Sequence, residues 1–226
     1  MSERQKKRLE KELKAHKHDD YEVDIRFDEN NTLEGFIVQE HVLRPEKMVA
    51  IVLARWLLQN KELYKEKKVI DMGSGSGIQG VMMGLNGANS ITFTDISPDA
   101  VENSRMNAKK FKLEKYKALR GDLFENITEK ADVIIFNHPF FNRKTDEALN
   151  KSMIGKTIHN FLEDAKEYLE TNGFIIMPYF HLAGKENDPR EQAGKHGYEV
   201  EILFHERVET PLQKGPVSIY KLKPQS

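Results

Sequence analysis

Hydrophobic residues from position 67 onward fall into short continuous runs that alternate with segments of helical periodicity. Continuous apolar strands are typical of a parallel sheet covered by helices, because both faces of each strand are then buried. The pattern therefore predicts an α/β fold of the doubly wound type. The strand-like runs are VIDM (69–72), SITFTDI (90–96), KALRGD (117–122), ADVIIFN (131–137) and FIIMPY (174–179).

Helical segments flank these runs, and a strand pair follows them. Pro45 opens a segment that is apolar on nearly every side, which favours a helix buried against the sheet. The last two apolar runs, 198–208 and 217–223, are joined by a short connection that favours an antiparallel hairpin. We therefore expect a mostly parallel, seven-stranded sheet with a terminal antiparallel hairpin. A long helix before 174 is predicted by apolar residues at helical spacing: Ile154, Ile158, Phe161, Leu162, Ala165, Tyr168 and Leu169.

The first 41 residues form an extension to this pattern, and residues 42–226 form the main domain. Runs at 21–27 and 33–39, separated by the turn-forming segment DENN, predict a short β-hairpin. Residues 1–18 predict a short helix rich in Lys and Arg. It is either a solvated tail or a basic arm that reaches for an acidic partner such as RNA. We expect the extension to take part in substrate recognition.

Composition narrows the class of protein. The 226 residues carry a formal net charge of −1, which argues against a protein that coats DNA or RNA non-specifically. The absence of cysteine excludes disulfides and zinc–thiolate sites, and we assign no metal site. The N-terminus does not resemble a signal peptide, and no run is long enough to span a membrane. We expect a cytoplasmic protein of unknown oligomeric state.

A glycine-rich turn follows the first predicted strand of the sheet, with Gly73, Gly75 and Gly77 at alternate positions. Such a turn lets the backbone approach a ligand, and the following helix presents unpaired N–H groups to it. With Gly80 the spacing also matches a dinucleotide fingerprint, so a nicotinamide-dependent oxidoreductase is an alternative. Asp71 argues against it, because a carboxylate there suits a ligand with an α-amino group and repels a pyrophosphate.

The segment DMGSGSG, followed by TDISPDAVENSRMNA, GDLF and FNHPF, resembles the small-domain class I methyltransferases, which use S-adenosylmethionine (SAM). Those enzymes methylate the glutamine amide of release factors, or adenine and guanine in RNA and DNA. The resemblance implies that Asp71 and the turn (Gly73, Ser74, Gly75, Gly77) bind the methionine part of SAM. It implies that Asp95 binds the ribose, and that Ile96, Asp122 and Leu123 bind the adenine.

The segment Asn137-His138-Pro139-Phe140 resembles the family's Asn-Pro-Pro-Tyr motif, which marks methylation of a planar nitrogen. The lone pair of such a nitrogen is delocalised, so two acceptors must orient its N–H bonds. Asn137 Oδ1 and the His138 carbonyl are the candidates, and Pro139 restricts residue 138. Phe140 would stack on the planar target.

This motif departs from the family pattern at His138 and Phe140. A histidine in such a turn is expected to be solvated, and we do not prefer it as a general base; His159 and His181 receive no role. The altered motif leaves a second alternative, a non-catalytic SAM-binding subunit of a methyltransferase complex. The acceptor, a protein glutamine or an exocyclic amine of an RNA base, stays undecided. Arg143 and Lys144 are candidate contacts to it.

Overall fold

A computed structural model describes residues 18–47, 49–138, 157–181, 188–211 and 213–225. Within these ranges, seven strands form one sheet in the order β5-β4-β3-β6-β7-β9-β8. The strands β3 to β7 are parallel, and β9 runs antiparallel between β7 and β8. The predicted fold class is confirmed. The strands are β3 (Lys68–Met72), β4 (Ser90–Asp95), β5 (Tyr116–Arg120), β6 (Ala131–Phe136), β7 (Leu169–Phe180), β8 (Tyr198–Glu209) and β9 (Lys214–Pro224).

Helices lie on both faces of the sheet. They are α1 (Val49–Gln59), α2 (Ile78–Leu85), α3 (Pro98–Lys110), α4 (157–164) and α5 (Pro189–Ala193). Short 3₁₀ turns occupy Pro45–Lys47, Lys61–Leu63, Ala165–Tyr168 and Gly194–His196. Helix α3 begins as its sequence predicts, because Ser97 caps it: its Oγ accepts from the Ala100 amide at 3.4 Å, and proline follows the cap.

Side chains that alternate along the central strands enter two separate cores. Val133 and Ile135 of β6 pack in the cluster that contains α1, α2 and the apolar residue Ala108 of α3. Ile134 and Phe136 pack in the cluster that contains α4. The strands are therefore buried on both faces, as continuous apolar runs require. In the described residues, no helix is both long and apolar enough to cross a membrane.

The predicted N-terminal hairpin is present as β1 (Tyr21–Arg26) and β2 (Thr32–Val38), which pair antiparallel. Its apolar side chains Leu33 and Phe36 are buried in the same cluster as Leu53 of α1. The basic helix predicted at 1–18 lies outside the described residues except for His18.

The helix predicted before 174 ends earlier than expected. The α-helix ends at 164, Ala165–Tyr168 is a 3₁₀ turn, and Leu169 begins β7. Leu169 and Ala165 are both buried, so their apolar spacing could not show where the helix stops. An irregularity lies between the pairs Ala131–Leu169 and Val133–Phe174 and accommodates the extra residues of β7. The short helix α5 was not predicted, because five residues are too few to show helical periodicity.

Candidate active site

The described site residues of β3, β4 and β6 lie at the same carboxyl edge of three neighbouring strands. Strand β3 pairs with β4 on one side and β6 on the other, so Met72 lies level with Thr94 and with Phe136. The glycine turn and Asn137 follow directly after β3 and β6, and Asp95 is the last residue of β4. In parallel α/β sheets, ligands bind in the crevice at this edge.

The glycine turn has the left-handed backbone that only glycine adopts without strain. The φ angles of Gly73, Gly75 and Gly77 are +61°, +54° and +79°. A Cβ atom at Gly77 would lie 3.0 Å from Ser104 Cα, so α2 and α3 pack closely there. A Cβ at Gly75 would meet no atom within 4 Å, so this residue faces open space. That opening is where a bound cofactor would contact the turn.

The carboxylate of Asp95 fixes the turn next to β4. Its Oδ2 accepts from the Gly75 amide at 3.0 Å, and its Oδ1 accepts from the Ser97 amide at 2.9 Å. The next residue, Ile96, is 64% exposed although it is apolar. An apolar side chain beside a polar turn suits an adenine ring, which would cover it.

Asp71 is the buried acid of the site, with 1% of its surface exposed. Its Oδ2 accepts from the Gly80 amide in the first turn of α2 at 2.9 Å. Burial raises the pKa of the Asp71 carboxyl to about 8, since the Gly80 hydrogen bond only partly offsets the lost hydration and the charge of Asp95 adds to the rise. A cationic amino group beside it would stabilise the ionised form. Its assignment to the methionine part of SAM stays a prediction.

Asp122 and Leu123 lie in the turn after β5, where Leu123 has a φ of +51°. Both line a cavity of about 340 Å³, within the range of small-ligand pockets. Helix α4 and the 3₁₀ turn after it supply the opposite wall. The other predicted cofactor residues that the structure describes do not line this cavity. The remaining lining residues are Phe124, Glu125, Asn160, Glu163, Asp164 and Tyr168.

Asn137 and His138 continue from the end of β6. Asn137 is half-buried, whereas His138 is only 1% exposed, so the expectation of a solvated His138 is wrong. The alternation of β6 explains this burial, because residues 134, 136 and 138 point to one face. The His138 ring lies 5.8 Å from the Phe136 ring, centroid to centroid. Pro139 and Phe140 lie outside the described residues.

Two asparagines of α3 support the site and were not predicted. Asn107 Oδ1 accepts from the Ile37 amide of β2 at 2.9 Å, and its Nδ2 donates to the Ser76 carbonyl of the glycine turn at 2.9 Å. Asn103 Oδ1 accepts from the Gln39 amide at 2.8 Å. The only sequence signal was their spacing, since polar residues four apart on one helix share a face.

The fold and the glycine turn together define a Rossmann-like cofactor-binding protein. Residues 51–186 match the methyltransferase small domain family. The chain is also 30% identical, over 70% of its length, to a Methanocaldococcus jannaschii protein provisionally named as a protein N5-glutamine methyltransferase, of which it covers 83%. The chain therefore belongs to the methyltransferase small domain family. It is a SAM-dependent methyltransferase. This assignment selects SAM over a nicotinamide dinucleotide, the other ligand that the glycine spacing matched.

Other relatives are longer than the matched region. The chain is 30% identical over 63% of its length to the release factor glutamine methyltransferase of Borreliella burgdorferi, and it spans only 54% of that protein. Among solved structures, a 16S rRNA methyltransferase of T. thermophilus in complex with AdoMet and guanosine shares the fold, with a TM-score of 0.67 and 16% identity. That likeness covers 92% of this chain and 51% of the other.

Proposed function

We propose that this protein transfers the methyl group of SAM to a planar nitrogen, with a protein glutamine amide as the first acceptor and an exocyclic amine of an RNA base as the second. The observation that carries the proposal is the position of Asn137. It lies directly after β6, one strand away from the glycine turn, at the edge where the cofactor would bind.

The chemistry requires orientation more than acid–base catalysis. The nitrogen lone pair of an amide or aryl amine is delocalised, so the free acceptor is a poor nucleophile. Asn137 Oδ1 and the His138 carbonyl would each accept one N–H bond and aim the lone pair at the methyl group. Fixed dipoles and a fixed approach then lower the barrier.

Burial of His138 supports this preorganisation. Its side chain packs beside Phe136 in the α4 core, which holds the backbone of residue 138 in place. Pro139 would restrict that backbone further, and Phe140 would stack on the acceptor. A histidine at position 138 departs from the family pattern, but its buried side chain is compatible with a rigidly held His138 carbonyl.

The cofactor would be held by groups on both sides of the turn. Asp95 would bind the ribose hydroxyls, and Asp71 with the backbone of Gly73 would bind the amino acid part. Ser74, Gly75 and Gly77 would contribute backbone groups. Ile96, Asp122 and Leu123 would contact the adenine. The exposed Ile96 and the open space at Gly75 support this placement.

The glutamine amide ranks first because of the M. jannaschii relative, of which this chain covers 83%. The name of the release factor relative also gives glutamine as the methylated residue. The basic segment 1–18 supports RNA instead. In either case the extension 1–41 would contribute recognition, since methyltransferases of one fold differ mainly outside the shared core.

The test separates chemistry from cofactor binding with two variants. Asn137→Ala should lose methyl transfer by roughly 100-fold or more while its affinity for SAM stays within about twofold of wild type. Asp95→Ala should weaken SAM binding itself. Isothermal titration with SAM and transfer of labelled methyl groups into a cell extract measure the two effects. Full activity of Asn137→Ala would show that the proposed orientation mechanism is wrong.

The same labelled extract identifies the acceptor. Label that survives RNase but not protease would indicate a protein, and the modified residue can then be located by mass spectrometry. Label that survives protease but not RNase would indicate RNA. A wild-type protein that binds SAM but labels neither fraction would favour the non-catalytic subunit.

A further inference from the structure

Two histidines and a serine form a hydrogen-bonded chain across the last strands of the sheet. His181 Nε2 and His205 Nδ1 each lie 2.8 Å from Oγ of Ser218. The centroids of the two imidazole rings are 5.2 Å apart. Ser218 of β9 is paired with Tyr179 of β7 on one side and with His205 of β8 on the other, so all these side chains share one face.

The chain begins on the strand next to the one that leads to the candidate acceptor site. Strands β6 and β7 are parallel, and their last described pair is Ile135–Ile176. His138 and Tyr179 each lie three residues further along their segments. The Tyr179 ring lies 5.0 Å from the His181 ring, centroid to centroid. His181 therefore follows the end of β7 at the carboxyl edge of the sheet, and β7 neighbours β6, which Asn137 and His138 extend.

The middle of the chain is buried, and its two ends differ in exposure. His181 is half-buried, Ser218 is 1% exposed and His205 is exposed to solvent. A buried serine hydroxyl has a single proton, so it donates to one imidazole and accepts from the other. Each imidazole uses one nitrogen for Ser218, so the second nitrogen of each ring, Nδ1 of His181 and Nε2 of His205, is not used in the chain itself.

We propose that His181, Ser218 and His205 form a proton relay that carries the proton released by the methylated nitrogen to solvent. This inference rests on the proposed function, in which the nitrogen becomes acidic once its bond to the methyl carbon has formed. The N–H bond breaks and its proton binds Nδ1 of His181. The Nε2 proton of His181 moves to Ser218 Oγ, the Ser218 proton moves to His205 Nδ1, and His205 Nε2 releases a proton to water. After product release, exchange of protons with water restores the original direction of the hydrogen bonds in the relay.

The surroundings of His181 favour its neutral form, which can accept a proton. Burial lowers the pKa of the His181 imidazole below its usual value, and the charges of His205 and Arg190 lower it further. The buried carboxylate of Asp188 opposes this decrease and would stabilise the transient imidazolium. A lowered pKa favours the neutral imidazole, which is the form that accepts a proton.

Two relay variants and one matched control test the proposal. Ser218→Ala removes the central hydroxyl, and His205→Gln replaces the exposed end, where folding is least at risk. His196→Gln alters another histidine, whose ring contacts His159 instead. In dilute buffer, both relay variants should lower kcat on the order of tenfold with unchanged SAM affinity, and added imidazole should restore kcat. The control should keep the wild-type kcat. Wild-type kcat in both relay variants would overturn the relay.

A second measurement needs neither SAM nor acceptor. In ¹⁵N-histidine NMR spectra of the wild-type protein, protonation of one ring should shift the nitrogen signals of both His181 and His205, and Ser218→Ala should uncouple them. Independent titration of the two rings in the wild type would overturn the relay. If the wild type forms no N-methylated product, the proposed function fails. If it forms that product at a rate that Ser218→Ala and His205→Gln do not change, the relay alone fails.

Discussion

Asp71 is a fully buried carboxyl group, and its folded-state pKa of about 8 lies far above the ordinary value of 3.8. The folded protein therefore binds a proton that the unfolded chain releases as the pH rises between these two values. The free energy of unfolding should fall over this window by up to about 1.4 kcal/mol for each pH unit. Asp71→Asn keeps the shape and an oxygen that can accept from Gly80, so this part of the pH dependence should disappear. Chemical denaturation at pH 5, 7 and 9 measures it.

Asp132→Asn is the matched control for this substitution. Its carboxylate also accepts from a backbone amide, that of Lys68 at 2.8 Å, but it does so at the surface. The control should follow the pH profile of the wild type. Parallel profiles for Asp71→Asn and wild type would mean that Asp71 does not carry the buried proton.

Asn107 links β2 and α3 to the glycine turn through one side chain. This side chain bonds the Ile37 amide and the Ser76 carbonyl, and it also donates to the Ile37 carbonyl at 2.8 Å. Asn107→Ala would leave the Ile37 amide and the Ser76 carbonyl without these partners, at a cost of roughly 2–4 kcal/mol in unfolding free energy. It should also weaken SAM binding, because the turn loses a support. Denaturation and SAM titration measure the two effects.

Asn103 offers a comparison within the same helix. It bonds β2 through the Gln39 amide and the Ile37 carbonyl, and its bonds do not involve the glycine turn. Asn103→Ala should therefore lower stability while leaving the affinity for SAM close to that of the wild type. If both variants weaken SAM binding equally, the effect comes from the hairpin and not from the Ser76 contact.

Local sequence patterns predicted the elements that depend only on residues close together in the sequence. The run 69–72, the glycine turn and the antiparallel ending followed from residues that are adjacent in sequence. The burial of His138 was missed because it depends on tertiary packing: its ring lies beside Phe136, which in turn contacts Phe161 of α4. The bridge from Asn107 to Ser76 spans 31 residues and has no periodic signal. The cofactor and acceptor roles of the site residues remain predictions.

The N-terminal hairpin and the methyltransferase core share one hydrophobic cluster. Phe36 is fully buried and stacks on Phe111, with ring centroids 6.0 Å apart. The same cluster contains Trp56, the only tryptophan of the chain, which is 7% exposed. The boundary predicted at residue 41 therefore does not divide the hydrophobic core. A shared core implies that the hairpin unfolds together with the sheet.

Phe36→Ala tests this cooperativity, because it removes a large side chain from the hairpin part of the core. It should lower the free energy of unfolding by roughly 3–5 kcal/mol. Trp56 fluorescence and far-UV circular dichroism should shift to the same lower midpoint in one transition. Leu85→Ala, at an apolar residue that is 46% exposed, should change stability by less than about 0.5 kcal/mol. An unchanged Trp56 midpoint in Phe36→Ala would mean that the hairpin folds separately, and recognition could then evolve independently of the cofactor site.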